Sequence, residues 1–434
     1  MKVFAEMLVV ASLFGVGAAS GVTILVDPGV VEIADDGQCS LLEAINNANL
    51  NSQGLSSPGE CVAGDQADRI VLPADSEFRL LGQQDIVITD PLFLVGNGST
   101  LVVGPEASSA EFDALYFTVE AELTATELTL RLAEFGGDLS IVNEASGYLE
   151  MTDCMVTGTR SSGPLANLGT MVLTNTEVVR NSTVGGSGGI TNLGGTLTLI
   201  RSNISQNFVT GFGGTGNLYN SPDGFVTILE STISRGGTGT QVGSGGGITN
   251  DGFMVIRGSA IFSNSARSAI GGGIENRGTL WLSNSTVTDN FGSALANFGE
   301  ATVLHTTFSD SAQFRPGLEN YGELEITGSI IADNSGPEEC LNEGTLINGI
   351  NLVEDGSCGA EVTGDPLLQP LAWNGGPTQT QSLSPGSPAI DRADPATCPD
   401  RDQRGEERRS VTCDLGAFEY ADPDVIFQEG FEAF

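Results

Sequence analysis

The chain has 434 residues, 59 of them glycine, with 55 acidic against 17 basic side chains and a formal net charge of −38. Such acidity excludes nucleic acid and anionic membrane surfaces as partners, and it disfavours a highly acidic polymer. One histidine, His305, and no lysine after Lys2 exclude a His-rich zinc centre and leave a mature chain no lysine for catalysis.

Residues 1–20 read as a secretory signal. Lys2 gives the positive end, residues 7–16 are mostly apolar, and Ala18, Ala19 and Ser20 offer a small-residue cleavage site. The apolar run is too short to span a bilayer, and no later segment is long enough. Export is therefore expected. Residues 22–26 alternate as a strand. Residues 39–49 (CSLLEAINNAN) then read as a short helix, with Ser40 and Glu43 at capping-box spacing and an apolar stripe of Leu41, Leu42, Ala44, Ile45 and Ala48. Residues 51–68 are a polar loop. Short strands follow at 69–72, 78–81, 86–88 and 92–95.

From Asn143 to Asn342 the chain repeats. Asn143, Asn167, Asn192, Asn220, Asn250, Asn276, Asn297, Asn320 and Asn342 recur at intervals of 24, 25, 28, 30, 26, 21, 23 and 22 residues, a period that signals stacked units. Aligned on these, one apolar column runs Leu149, Met171, Leu197, Val226, Met254, Leu280, Ala301, Leu324, and a second lies two residues on. The residues between them vary freely: Glu150, Val172, Thr198, Thr227, Val255, Trp281, Thr302, Glu325. Period two means strands, one face in and one face out. One unit cannot bury its apolar face alone, but stacking at ~4.8 Å makes a continuous core. The expectation is an all-β, single-stranded parallel β-helix. Its hand is right by the general preference of parallel crossovers. The Asn ladder (Asn167, Asn192, Asn250, Asn276, Asn297, Asn320) is read as structural, with each Asn free to sit in the left-handed region at a corner. A second Asn column (Asn181, Asn207, Asn264, Asn290, Asn334) departs at Gly236 and Ser311.

Seven cysteines fit an exported protein. Three local pairs are expected: Cys39–Cys61, Cys340–Cys358 and Cys398–Cys413. Cys154 falls in a small inward column of Ser and Thr and is read as a buried, inert thiol.

Both ends carry a resemblance. Residues 39–49 are similar to the motif naming the CSLREA-domain family of exported bacterial proteins, with Leu42 where that motif has Arg. Asp365-Pro-Leu-Leu, Asn374-Gly-Gly-Pro-Thr, residues 384–391, Asp402-Gln-Arg-Gly405 and residues 413–420 resemble the choice-of-anchor Q proteins. The resemblance implies a pectin-lyase-like β-helix and export, and no established catalytic residues. The expected organisation is a signal peptide (1–20), an amino-terminal cap with first strands (21–88), coils (89–364), a carboxyl-terminal capping region with a disulfide loop (365–420) and a tail (421–434). That tail resembles a short ending of exported proteins of Gram-negative bacteria, so the expected location is secreted or at the cell surface of such a bacterium.

For chemistry, Asp289, Asp310 and Asp333 share a column on consecutive units. Stacking would bring them ~5 Å apart, near the carboxyl separation of retaining glycosidases. The readings are catalysis, a cation such as calcium with no other cofactor, or a solvated acidic face. Glu300 and Glu323 form a second such pair. His305 falls on an outward position. Arg401, Arg404, Arg408 and Arg409 are read as local ion-pair partners. Two functions remain open: a non-enzymatic, monomeric exported protein whose lateral face binds glycan or a surface protein, or an extracellular polysaccharide lyase or hydrolase. Exposed aromatics lining a groove beside paired acids would favour the enzyme.

Overall fold

The structure is a computed structural model describing residues 21–54, 60–80, 85–104, 115–132, 139–160, 163–211, 213–239, 245–266, 270–311, 315–408 and 412–421. The signal expected at 1–20, Arg409 and nearly all of the tail lie outside them.

Among the described residues the chain winds into three long parallel sheets of 13, 12 and 11 strands, with a short fourth of four. One coil crosses them in turn. Ile274–Asn276 lies in the 11-stranded sheet 3, Thr279–Ser283 in the 13-stranded sheet 1, and Thr286–Thr288 in the 12-stranded sheet 2. Register is kept rung to rung: Leu280 faces Ala301, which faces Leu324, and Asn276 faces Asn297, which faces Asn320. The inward columns are fully buried, as Leu280, Leu282, Val287, Val303 and Phe308 illustrate. Hydrophobic burial of ~25 cal/mol per Å2 acts on every rung, so the stack is held by repetition of one small unit.

Polar ladders run inside this stack. Each Asn of the main column donates Nδ2 to the Oδ1 of the next: Asn250 to Asn276, Asn276 to Asn297 and Asn297 to Asn320, all at 2.8 Å. Asn276 Nδ2 also reaches the carbonyls of Gly278 and Glu300, satisfying a buried amide. These Asn residues end the strands of sheet 3, and they are not the left-handed residues expected from their alignment. The left-handed positions are one column between sheets 1 and 2, occupied by Asp153, Asn175, Arg201, Glu230, Asn284 and His305, and another just after sheet 2, from Arg180 to Asp333. Tight approach at the corner from sheet 3 to sheet 1 requires Gly: a Cβ on Gly299 would lie 2.1 Å from the Gly278 carbonyl oxygen.

At the amino end, helix Leu41–Leu50 starts from a complete Ser40–Glu43 capping box and buries Leu41, Ala44, Ile45 and Ala48 in the core. Coiling begins as early as Thr23–Leu25, which pairs with Asp68–Val71 in sheet 1. Cys39 is bonded to Cys61, and Cys340 to Cys358 on the last coil.

Residues 365–408 and 412–420 depart from the expected end cap. They run back along the outer face of sheet 2. Thr378 Oγ1 donates to the Gly258 carbonyl at 2.9 Å, and Gln403 Nε2 to the Ser259 carbonyl at 3.2 Å. Leu383, Ala389, Ala393 and Leu415 build a second core against Ile330, Ala332 and Leu352. The physical reason is composition. Under the strap the outward residues of sheet 2 are apolar or hydroxylic (Ala260 and Phe262, Thr286 and Thr288, Thr307 and Ser309, Ile330 and Ala332), and such a face gains by being covered. Cys398–Cys413 closes a loop within this strap.

Candidate functional site

The outer face of sheet 1 carries a groove of about 170 Å3 lined by Thr279, Trp281, Glu300, Thr302, Glu323, Glu325, Thr345 and Ile347. Its shape follows from one outward column. Trp281, Thr302, Glu325 and Ile347 are successive register partners, so two large apolar side chains stand as walls with Thr302 and Glu325 between them. Three rung steps separate the walls, ~14 Å at strand spacing. Trp281 is 39% exposed and Ile347 61%, so both keep apolar surface in contact with solvent.

The neighbouring column runs Phe225, Phe253, Thr279, Glu300, Glu323, Thr345. Phe225 and Phe253 pack with centroids 6.1 Å apart. Glu300 and Glu323 are direct cross-strand partners, and both are exposed. The face therefore passes along the helix axis from an aromatic stretch to an acidic one. No Lys, Arg or His is among the groove's lining residues.

Just before each groove acid in the chain stands an aromatic corner. Phe298 and Tyr321 stack at 5.0 Å with planes 10° apart. Tyr321 Oη donates to Glu319 Oε2 at 2.6 Å, and Glu319 is fully buried on sheet 3, where it also takes Ser293 and, at 3.1 Å, Arg315. Burial and that acceptor push the Tyr321 hydroxyl up to about 12, so it stays a donor. A parallel network lies nearby in sheet 3: Tyr219 donates to Asp251 at 2.9 Å, and Arg277 joins Asp251 to Glu275. Burial raises the Glu275 carboxyl. The Tyr321–Glu319 bond holds the ring that stacks on Phe298, and Phe298 keeps part of its surface in solvent. Glu300, Glu323 and Trp281 stand out in the repeat alignment, whereas the Phe298–Tyr321 stack does not. The signal was available, because both residues directly follow ladder Asn residues.

The Asp289, Asp310 and Asp333 column lies elsewhere, at the corner after sheet 2. All three are exposed and left-handed, with φ of 52°, 47° and 58°. Asp tolerates that conformation better than most residues, which is a conformational reason for its recurrence. Asp289 accepts from Ser263 at 2.6 Å and Asp310 from Gln381 of the strap at 3.0 Å. Desolvation, then Glu354, pushes Asp333 up to about 6. Among the described residues no three His, Cys, Asp or Glu side chains converge as a metal site.

His305 is outward from the coil yet 99% buried, because the strap covers it. Its Nε2 lies 3.0 Å from the Thr397 carbonyl, and burial together with Arg408 holds the ring down to about 3. It has no access to a substrate. Arg408 is buried too and bonds Glu419, Asn284 and backbone carbonyls, while Arg404 pairs with Asp402 and lies 3.7 Å over the Phe418 ring. Cys154 is buried, and burial pushes its thiol up to about 11, which makes it inert.

No protein-family model and no curated protein matches the sequence. The crystal structure of pectate lyase Pel9A is similar with a TM-score of 0.44 and 14% identity, covering 82% of this chain and 88% of that one. Among the described residues no helix is long and apolar enough to cross a membrane.

Proposed function

We propose that this is an exported β-helix protein that binds glycan chains along the outer face of sheet 1. The observation carrying this reading is the groove between Trp281 and Ile347, continuous with the Phe225–Phe253 pair. Aromatic faces stack on the apolar faces of pyranose rings, and carboxylates accept hydroxyl protons. Rungs ~4.8 Å apart match the repeat of an extended polysaccharide, so a chain lying parallel to the axis meets one rung per sugar. Three disulfides suit an oxidising, extracellular setting. The CSLREA-like and choice-of-anchor-like ends fit export from a bacterium, and the resemblance of the tail points to a Gram-negative one.

The second reading, a hydrolase, is favoured by a groove in which exposed Trp281 stands beside the in-register Glu300–Glu323 pair, the arrangement expected of the enzyme, and the pair's rung spacing approaches that of retaining glycosidase carboxylates. Lyase chemistry has less support, since none of the lining residues is a Lys, Arg or His able to take the sugar proton. The test incubates the purified chain with a polysaccharide panel and measures both retention and new reducing ends. Retention without cleavage, weakened about tenfold in Trp281→Ala, is expected. New reducing ends that disappear in Glu300→Gln would establish the hydrolase. Absence of both retention and cleavage would sink both readings.

A further inference from the structure

Given the glycan-binding reading, we propose that the occupant of the sheet 1 groove is a cationic glycan, a chain of unacetylated amino sugars. The groove presents Glu300, Glu323 and Glu325 within two adjacent rungs and no basic side chain among its lining residues. Like charges set directly opposite on paired strands destabilise the free protein. An ammonium group placed between them removes that repulsion and gains charge-assisted hydrogen bonds. An uncharged sugar recovers only part of this, and a uronate adds to the repulsion.

Trp281 points to the same chemistry independently. It stands in the rung before Thr302, beside the first groove acid, with its ring partly open to solvent. An indole face attracts both the sugar ring and a cation near it. The wall strands of Trp281 and Ile347 stand ~14 Å apart with two rungs between them, room for about two sugars at one per rung. The net charge of −38 adds long-range attraction that speeds encounter with a polycation. That overall charge is also the competing explanation, so the experiment must separate the groove from bulk acidity.

Binding of glucosamine oligosaccharides and their N-acetylated counterparts is measured by calorimetry in mildly acidic buffer at low and high salt. The glucosamine series should bind about tenfold or more tightly than the acetylated one, and more weakly as salt rises. Glu300→Gln/Glu323→Gln should lose about tenfold for the glucosamine series only. Glu32→Gln/Glu120→Gln removes the same charge at exposed sites remote in sequence and should change nothing. Equal losses in the two double variants would overturn the proposal in favour of unspecific attraction. Acetylated or neutral chains binding as well through Trp281, with no effect of the Glu changes, would overturn it while leaving the glycan-binding reading in place. Failure of every oligosaccharide to bind would overturn both.

Discussion

Asn207 donates its Nδ2 to Asn217 Oδ1 at 2.9 Å, where the repeat alignment would place Gly236 as its partner. Asn217 in turn donates to Asn264 at 3.0 Å, and Asn264 to Asn290 at 3.1 Å. A residue from a different turn thus bridges the gap in the second ladder. Gly236 follows from it, since a Cβ there would lie 2.4 Å from Asn217 Nδ2. Asn217→Ala should cost about 1–3 kcal/mol, because it removes three buried hydrogen bonds, with Asn207, Asn264 and the Ser234 carbonyl. Asn276→Ala, in the main ladder, should cost about the same. Urea unfolding midpoints measure both, and an Asn217→Ala midpoint equal to the parent's would contradict the bridging role.

Rungs were legible because inward alternation leaves a period-two trace in every unit. The left-handed corners were not assigned correctly. Asn is the obvious candidate for them, yet the main-ladder Asn residues hydrogen-bond inside the stack, and the left-handed positions go to other residues, Asp, Arg, Glu and His beside Asn175 and Asn284. The Asp289–Asp310–Asp333 column looked like chemistry for that reason. The strap was hidden because its partners are far apart in sequence. Nothing local to Gly258 or Ser259 announces a bond to Thr378 or Gln403. In the groove the acids were visible, but its walls depend on which outward positions stack, so Trp281 and Ile347 gained meaning only as rung partners.

Calcium should leave thermal melting unchanged, with or without chelator. Asp289, Asp310 and Asp333 point from an exposed corner and already accept or lie near other groups, and calcium needs six to eight convergent oxygens. A melting-temperature rise of several degrees on adding calcium, lost in Asp310→Asn, would restore the cation reading.

Acidification should loosen the strap through His305. Its folded value is about 3 against about 6.5 for an exposed ring, so the unfolded chain binds the proton first. Stability contributed by the neutral ring is full above pH 6.5 and declines below it, by at most about 1.4 kcal/mol per unit, until pH 3. Asp414 and Glu339, each pushed up to about 7 chiefly by burial, act oppositely: the folded state binds their protons more readily, so they favour folding as pH falls from 7 towards 4. Subtracting a variant isolates the ring. His305→Asn keeps a residue type already used in this left-handed column by Asn175 and Asn284. The difference in unfolding free energy between parent and variant should move against the parent between pH 6.5 and 4. A pH-independent difference would refute the assignment.

Arg408 should matter more than any other strap residue. Its side chain is 1% exposed and its Nη1 pairs with Glu419 at 3.1 Å, while Nη2 reaches Asn284 of the coil at 3.2 Å and the Gly416 carbonyl at 2.7 Å. Removing it takes away the cation paired with buried Glu419, beside which Asp414 is also buried, while Arg404 still pairs with Asp402. Breaking such a pair on one side costs about 3–5 kcal/mol, whereas its net contribution against an apolar replacement of both partners is far smaller. Arg408→Met should therefore release residues 365–421 from sheet 2 before the coils unfold, because the main core does not depend on the strap. Limited proteolysis reads this directly: early cleavage within the strap, with the coil fragment resistant, is the expected pattern. Arg408→Met/Glu419→Leu should recover much of the loss. Simultaneous digestion of strap and coils in Arg408→Met would show instead that the two cores unfold as one unit.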